Sequence, residues 1–261
     1  TLFRSLLERR GRSHEARARR TQRARREGGG ARGGGKTDGM LGEWVSHQDA
    51  YGENAIGLMV RRERTQLIET IERSRQLYLP LGAKFNEQEK YWKFANGSRL
   101  RFAHLERDSD AEAYQGHSYT RVYVEEIGNF PSPSPIFKLM ATLRSGASVP
   151  CGFRATGNPG GPGHQWVRSR YIDPSPLGWK RIETEFTNPW TREKVTRDRI
   201  FIPSKLQDNQ YLGNDYVANL QMVGNAQLVR AWLEGDWDVI AGAFFPEFTR
   251  DRHVIRPFTI P

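Results

Sequence analysis

The run Gly30-Ala31-Arg32-Gly33-Gly34-Gly35-Lys36-Thr37 constrains the fold more than any other stretch of this chain. It matches G-x-x-x-x-G-K-[ST] at every fixed position, the pattern of a loop that cradles nucleotide phosphates. Glycines let backbone N–H groups turn toward phosphate oxygens without Cβ clashes. Lys36 brings a positive charge that reaches the β- and γ-phosphates, and Thr37 a hydroxyl for Mg²⁺. The alternative is a flexible Gly-rich linker that ends in Lys-Thr by chance. What lies downstream decides between them.

A phosphate loop normally hangs between a buried apolar strand and the helix that follows it. The residues before this one are Arg19-Arg20-Thr21-Gln22-Arg23-Ala24-Arg25-Arg26-Glu27. As a buried strand they would carry unpaired internal charges. The sequence therefore predicts that the first strand is missing. Residues 1–27 read as an Arg-rich tail, disordered or out of frame.

Downstream of Thr37 the pattern is regular. The spacing predicts a helix over 38–48, a buried strand over 55–60 and a helix over 65–77 with Leu67, Ile68, Ile71 and Leu77 apolar. Residues 91–94 and 99–102 flank Asn96-Gly97 and read as a hairpin. Further strands are expected at 122–124, 151–155 and 199–203, with helices over 214–223 and 226–233. Strands alternating with helices imply an α/β fold, a mostly parallel sheet with helices on both faces.

Arg121-Val122-Tyr123-Val124-Glu125-Glu126 is an apolar strand that ends in two acids. It places them at the carboxyl edge of the sheet, where α/β proteins bind ligands. Adjacent strand residues point to opposite sides, so the two acids divide the work. Glu125 faces Thr37 and holds Mg²⁺, usually through water. Glu126 faces the γ-phosphate and polarises the attacking water. A strand end with solvated acids is the alternative reading of this segment alone. Arg154-Ala155-Thr156-Gly157-Asn158-Pro159 is a strand followed by a small polar turn. Thr156 and Asn158 can hydrogen-bond a γ-phosphate or the water that attacks it.

Together these segments resemble the large subunit of tailed-bacteriophage terminases, from about Gly28 to Pro261. The likeness rests on the Gly30–Thr37 loop with its internal Arg32, the Val122–Glu126 acid strand and Thr156-Gly157-Asn158-Pro159. Gln115-Gly116 and the stretch from Gly235-Asp236-Trp237-Asp238 to Phe244-Phe245 add to it. The resemblance implies a P-loop NTPase of the ASCE type that hydrolyses ATP with Mg²⁺ and drives double-stranded viral DNA into a procapsid. Gly30, Ala31, Arg32, Gly33, Gly34, Gly35, Lys36, Thr37, Thr156 and Asn158 would hold the nucleotide. Glu126, Lys36 and Arg32 would be catalytic, and Thr37 and Glu125 would hold the metal. The implied partners are DNA, the small terminase subunit, the portal protein and further copies in a ring, in the host cytoplasm. Residues 28–234 would be the ATPase domain, and 235–261 a junction to a nuclease domain expected to be absent from this chain.

This chain departs from the family in carrying Glu125 where the metal-side acid is usually Asp. Asp236, Asp238, Glu247 and Asp251 read as junction residues, not a metal site. A stand-alone helicase-like ATPase and an inactive fragment with a nucleic-acid-binding Arg-rich arm are the other readings. The chain is 261 residues long with a formal charge of +10. Ten Arg and three Glu lie in residues 1–27, so seven of those charges sit in the tail and the body is nearly balanced. The single cysteine, Cys151, excludes an internal disulfide and a cysteine-built metal site. Arg61, Arg62, Arg99, Arg101 and Arg107 include candidates for a finger acting on a neighbouring subunit.

Overall fold

The computed structural model describes residues 25–30, 35–206, 214–222 and 226–238. In chain order the strands are β1 (Arg25–Gly30), β2 (Ile56–Arg61), β3 (Lys84–Asn86), β4 (Tyr91–Lys93), β5 (Arg99–His104), β6 (Arg121–Val124), β7 (Gly152–Gly157), β8 (Arg181–Thr187) and β9 (Lys194–Ser204). The helices are α1 (Lys36–Tyr51), α2 (Arg64–Tyr78), α3 (Ser134–Ala141), α4 (His164–Val167), α5 (Asn214–Gln221) and α6 (Ala226–Glu234). The strands form one sheet in the order β3-β4-β5-β2-β6-β7-β1-β9-β8. From β5 to β9 neighbouring strands are parallel, and antiparallel partners close both edges.

The predicted absence of a first strand is corrected by this structure. β1 lies between β7 and β9, with Gly28 opposite Thr156 and Gly29 opposite Gly157. Strand ladders are made by backbone N–H and C=O groups. Half of β1 is Gly28–Gly30, which brings no side chain to bury. The tail therefore ends before Arg25, not after Glu27.

Each face of the sheet has its own core because side chains alternate along a strand. Met59 and Tyr123 face Met40, Leu41 and Trp44 of α1 and Leu67 and Ile71 of α2. Leu58, Val60, Val122 and Val124 face Ile136 and Leu139 of α3 on the other side. All four residues of β6 are buried, as expected for a parallel strand covered on both faces. The helix predicted for 65–77 is present, with Leu67 and Ile71 buried as expected, Leu77 half-buried and Ile68 52% exposed. Leu67, Thr70, Ile71, Ser74 and Tyr78 form the buried stripe of α2. Tyr78 donates to the Leu41 carbonyl at 2.9 Å, and Trp92 Nε1 donates to Ser74 Oγ at 2.9 Å.

The Asn96-Gly97 hairpin is present, with Gly97 at φ 86°. Its side-chain amide ties the turn to α1, since Asn96 Nδ2 donates to the Gln48 carbonyl at 2.8 Å. On the outer strands Lys84 stands opposite Lys93, and Lys93 opposite Arg99. Like charges directly across a ladder destabilise it. All three are exposed, and none forms an ion pair with another described residue. Helix α3 and strand β8 were not anticipated. The Ser/Pro-rich lead into α3 reads as loop, and β8 is an edge strand with no position fully buried. Among the described residues no helix is long and apolar enough to cross a membrane.

Candidate nucleotide site

Three neighbouring parallel strands, β6, β7 and β1, deliver their carboxyl ends to one edge of the sheet. α1 begins there at Lys36, directly after Gly35, whose φ of 69° lies in the left-handed region. A helix N-terminus presents unpaired N–H groups and the positive end of its dipole, which suits an anion. Gly30 ends β1, and Ala31, Arg32, Gly33 and Gly34 lie outside the described residues.

Among the described residues, Lys36, Thr37, Glu125, Glu126, Thr156 and Asn158 converge on this edge. Thr37 Oγ1 is hydrogen-bonded to Glu125 Oε1. Lys36 Nζ donates to Asn158 Oδ1 at 2.8 Å. Asn158 Nδ2 in turn donates to both carboxylate oxygens of Glu126, at 2.9 and 2.8 Å. The Glu126 backbone N–H donates to Thr156 Oγ1 at 3.3 Å. The amide of Asn158 thus bridges the loop lysine and the second acid.

The two acids diverge, but strand alternation is not the whole cause. β6 ends at Val124, and Glu126 sits at φ 54°, ψ 55°, a left-handed conformation that costs a side-chain-bearing residue roughly 1–2 kcal/mol. That turn swings Glu126 across to the end of β7. The loop after β7 packs closely against it. A Cβ on Gly163 would collide with the Phe130 carbonyl oxygen, so only glycine fits.

Glu125 is 1% exposed. Its Oε2 accepts from Arg61 Nε at 2.6 Å and from Thr70 Oγ1 at 2.5 Å. Arg61 was a candidate finger for a neighbouring subunit. In the structure its side chain is 12% exposed and turned into its own site. Thr70 was not anticipated. The available signal was the position of Arg61, the first charge after an apolar strand, but no local pattern pairs it with residue 125.

A second polar cluster lies under α1, on the same face of β6. Arg121 and Tyr123 alternate with Glu125 along that face, and both reach Glu43. Arg121 Nε donates to Glu43 Oε1 at 3.0 Å, and Arg154 Nη2 approaches the same oxygen at 3.5 Å. Burial would raise the Glu43 pKa, but Arg154, Arg121 and the Tyr123 hydroxyl outweigh it and hold it at about 2. His47 Nε2 meets Thr120 Oγ1 at 2.9 Å. Burial, reinforced by Arg121, lowers the His47 pKa to about 3. The helix that carries Lys36 and Thr37 is therefore docked on the acid strand through fixed charges.

Among the described residues no group of three His, Cys, Asp or Glu could hold a metal, and Asp238 is paired with Arg168. Glu247 and Asp251 lie outside those residues. Trp237 is buried in the α3-side core and stacks on His164 at 5.3 Å.

No family model and no curated relative matches the sequence. The fold matches solved structures. The large terminase of a thermophilic bacteriophage, in complex with ADP, matches with a TM-score of 0.66 at 16% identity over 98% of this chain. The same protein in complex with ATP-gamma-S gives a TM-score of 0.64, also at 16% identity and 98% coverage. This chain spans 57% of the length of that protein in both cases. The large terminase ATPase domain of Thermus phage P74-26 matches with a TM-score of 0.51 at 11% identity, over 88% of this chain and 94% of that one. This chain has the α/β fold of the ATPase domain of phage large terminases.

Proposed function

We propose that this chain hydrolyses ATP to drive double-stranded viral DNA into a procapsid, as part of a terminase large subunit. The observation that carries the reading is the hydrogen-bonded chain from Lys36 through Asn158 to Glu126, beside the Thr37–Glu125 pair. It is supported by two solved structures of the same fold, one in complex with ADP and one with ATP-gamma-S. Lys36 binds the β- and γ-phosphates, and Arg32 stabilises the γ-phosphate from the loop. Hydroxyl and carboxylate oxygens are hard donors, so Thr37 and Glu125 fit Mg²⁺. Bound there, the metal would neutralise charge on the phosphates. Glu126 orients and polarises the attacking water, and Asn158 and Thr156 report on the γ-phosphate.

Lys36→Ala is expected to weaken ATP binding and to lower turnover by about 100-fold or more, the scale for removing one fixed positive group from a charge-stabilising site. Phosphate release and binding of a fluorescent ATP analogue measure the two effects. Turnover within a few-fold of the parent would overturn the assignment.

The DNA half of the proposal draws on the exposed row Lys84–Lys93–Arg99. Three unpaired cations in register suit a phosphate backbone. Replacing them with Ala should lower the slope of log duplex affinity against log salt by roughly 0.9 per cation. An unchanged slope sends the DNA to another surface. In the wider reading the chain works in a ring on the procapsid in the host cytoplasm, with the portal and the small subunit. ATPase activity that ignores duplex DNA and responds to single strands would favour the helicase-like alternative.

A further inference from the structure

We propose that Arg61 and Thr70 form a clamp that lets a glutamate serve as the metal-side acid, by fixing which of its oxygens faces Thr37. The inference rests on the reading of Glu125 as that acid. A carboxylate offers two oxygens and about four acceptor positions. In Glu125 these are divided. Oε2 takes Arg61 Nε and Thr70 Oγ1, at 2.6 and 2.5 Å, while Oε1 alone is turned to Thr37.

The sheet makes this division possible. Val60 is in register with Val124, and the Glu125 N–H donates to the Val60 carbonyl at 2.9 Å. Arg61 is therefore the neighbour of Glu125 on the adjacent strand end. A second guanidinium donor, Arg61 Nη1, reaches the Gln66 carbonyl in the first turns of α2 at 3.1 Å. Thr70 lies one turn further along the same helix. Strand β2 and helix α2 thus grip one edge of the carboxylate, while α1 approaches the other.

Glutamate has one more rotatable bond than aspartate, and a loose glutamate loses conformational freedom when a ligand orders it. The clamp orders it in advance. It also offsets the charge of a carboxylate that is only 1% exposed, which an unpaired acid at this depth would not tolerate. In this proposal Arg61 and Thr70 are positioning residues that act through Glu125.

The test is the Mg²⁺ dependence of nucleotide binding, read by a fluorescent ATP analogue on the full chain across a Mg²⁺ titration. Thr70→Val removes the hydroxyl at nearly constant volume, and Arg61→Gln removes the charge and keeps a donor. Both are expected to raise the Mg²⁺ concentration for half-maximal enhancement of binding by about tenfold or more. Affinity in EDTA should stay at the parental value, and Thr70→Ser should restore the parental Mg²⁺ midpoint. If Arg61→Gln does not fold, the Thr70 pair decides. A parental midpoint in Thr70→Val and Arg61→Gln overturns the clamp, as does an equal loss of affinity with and without Mg²⁺. If the parent itself binds nucleotide identically in Mg²⁺ and EDTA, the metal role of Glu125 falls, and the clamp with it.

Discussion

Glu126→Gln is expected to yield a protein that binds ATP and barely hydrolyses it. The substitution keeps the shape of the side chain and an acceptor for the Asn158 amide, which now holds both oxygens of Glu126 at 2.9 and 2.8 Å. What it removes is a group able to draw a proton from water. General-base catalysis of this kind contributes roughly 100- to 10,000-fold, and turnover should fall by that factor. Binding of a fluorescent ATP analogue should stay within a few-fold of the parent, because Lys36 and the phosphate loop are untouched. A variant that retains a tenth or more of parental turnover would remove Glu126 from the role.

The largest loss of stability is expected from Glu43→Ala. The substitution leaves the guanidiniums of Arg121 and Arg154, 7% and 14% exposed, without their shared carboxylate. Deleting one partner of a fully buried charge cluster costs about 3–5 kcal/mol, and because Glu43 is itself 30% exposed the lower end, about 3 kcal/mol, is expected. In a domain of this size that lowers the melting temperature by roughly 10 °C. The same cluster sets an acid limit. The Glu43 pKa falls from 4.5 to about 2 on folding, and that of His47 from 6.5 to about 3. Both are lowered, so their contributions are complete above pH 6.5 and are lost as the unfolded chain takes up protons. His47 loses its share between pH 6.5 and 3, and Glu43 its share between 4.5 and 2. Urea denaturation at stepped pH measures this, and Glu43→Gln should flatten the curve below pH 4.5. A Glu43→Ala protein that melts with the parent would show that the cluster carries little stability.

Where chemistry follows from local order, the sequence is legible. The phosphate-loop pattern, the acids closing an apolar strand and the polar turn at Thr156–Asn158 are contiguous motifs, and the described members meet at one sheet edge. The unread parts are pairings across the sheet. Arg61 and Thr70 are 64 and 55 residues from Glu125, and Glu43 is 78 from Arg121. Their meeting depends on the order β2-β6-β7-β1, which no window of sequence encodes. β1 was missed for a related reason. Its place is set by ladder partners far along the chain, not by apolar residues of its own.

Those distant partners also bear on how the chain assembles. β2 and its neighbours β5 and β6 lie within residues 56–124 and can pair as soon as that stretch is made. β1 has no such option: Arg26 pairs with Arg154, and Arg25 with Arg199. Contacts between sequence-distant segments form slowly, because a long loop must close before any contact rewards it. On a ribosome the strand that anchors the phosphate loop emerges before its partners and is seated after them. The seating of β1 is therefore a late event, reached only after the residues that close the far half of the sheet have been synthesised.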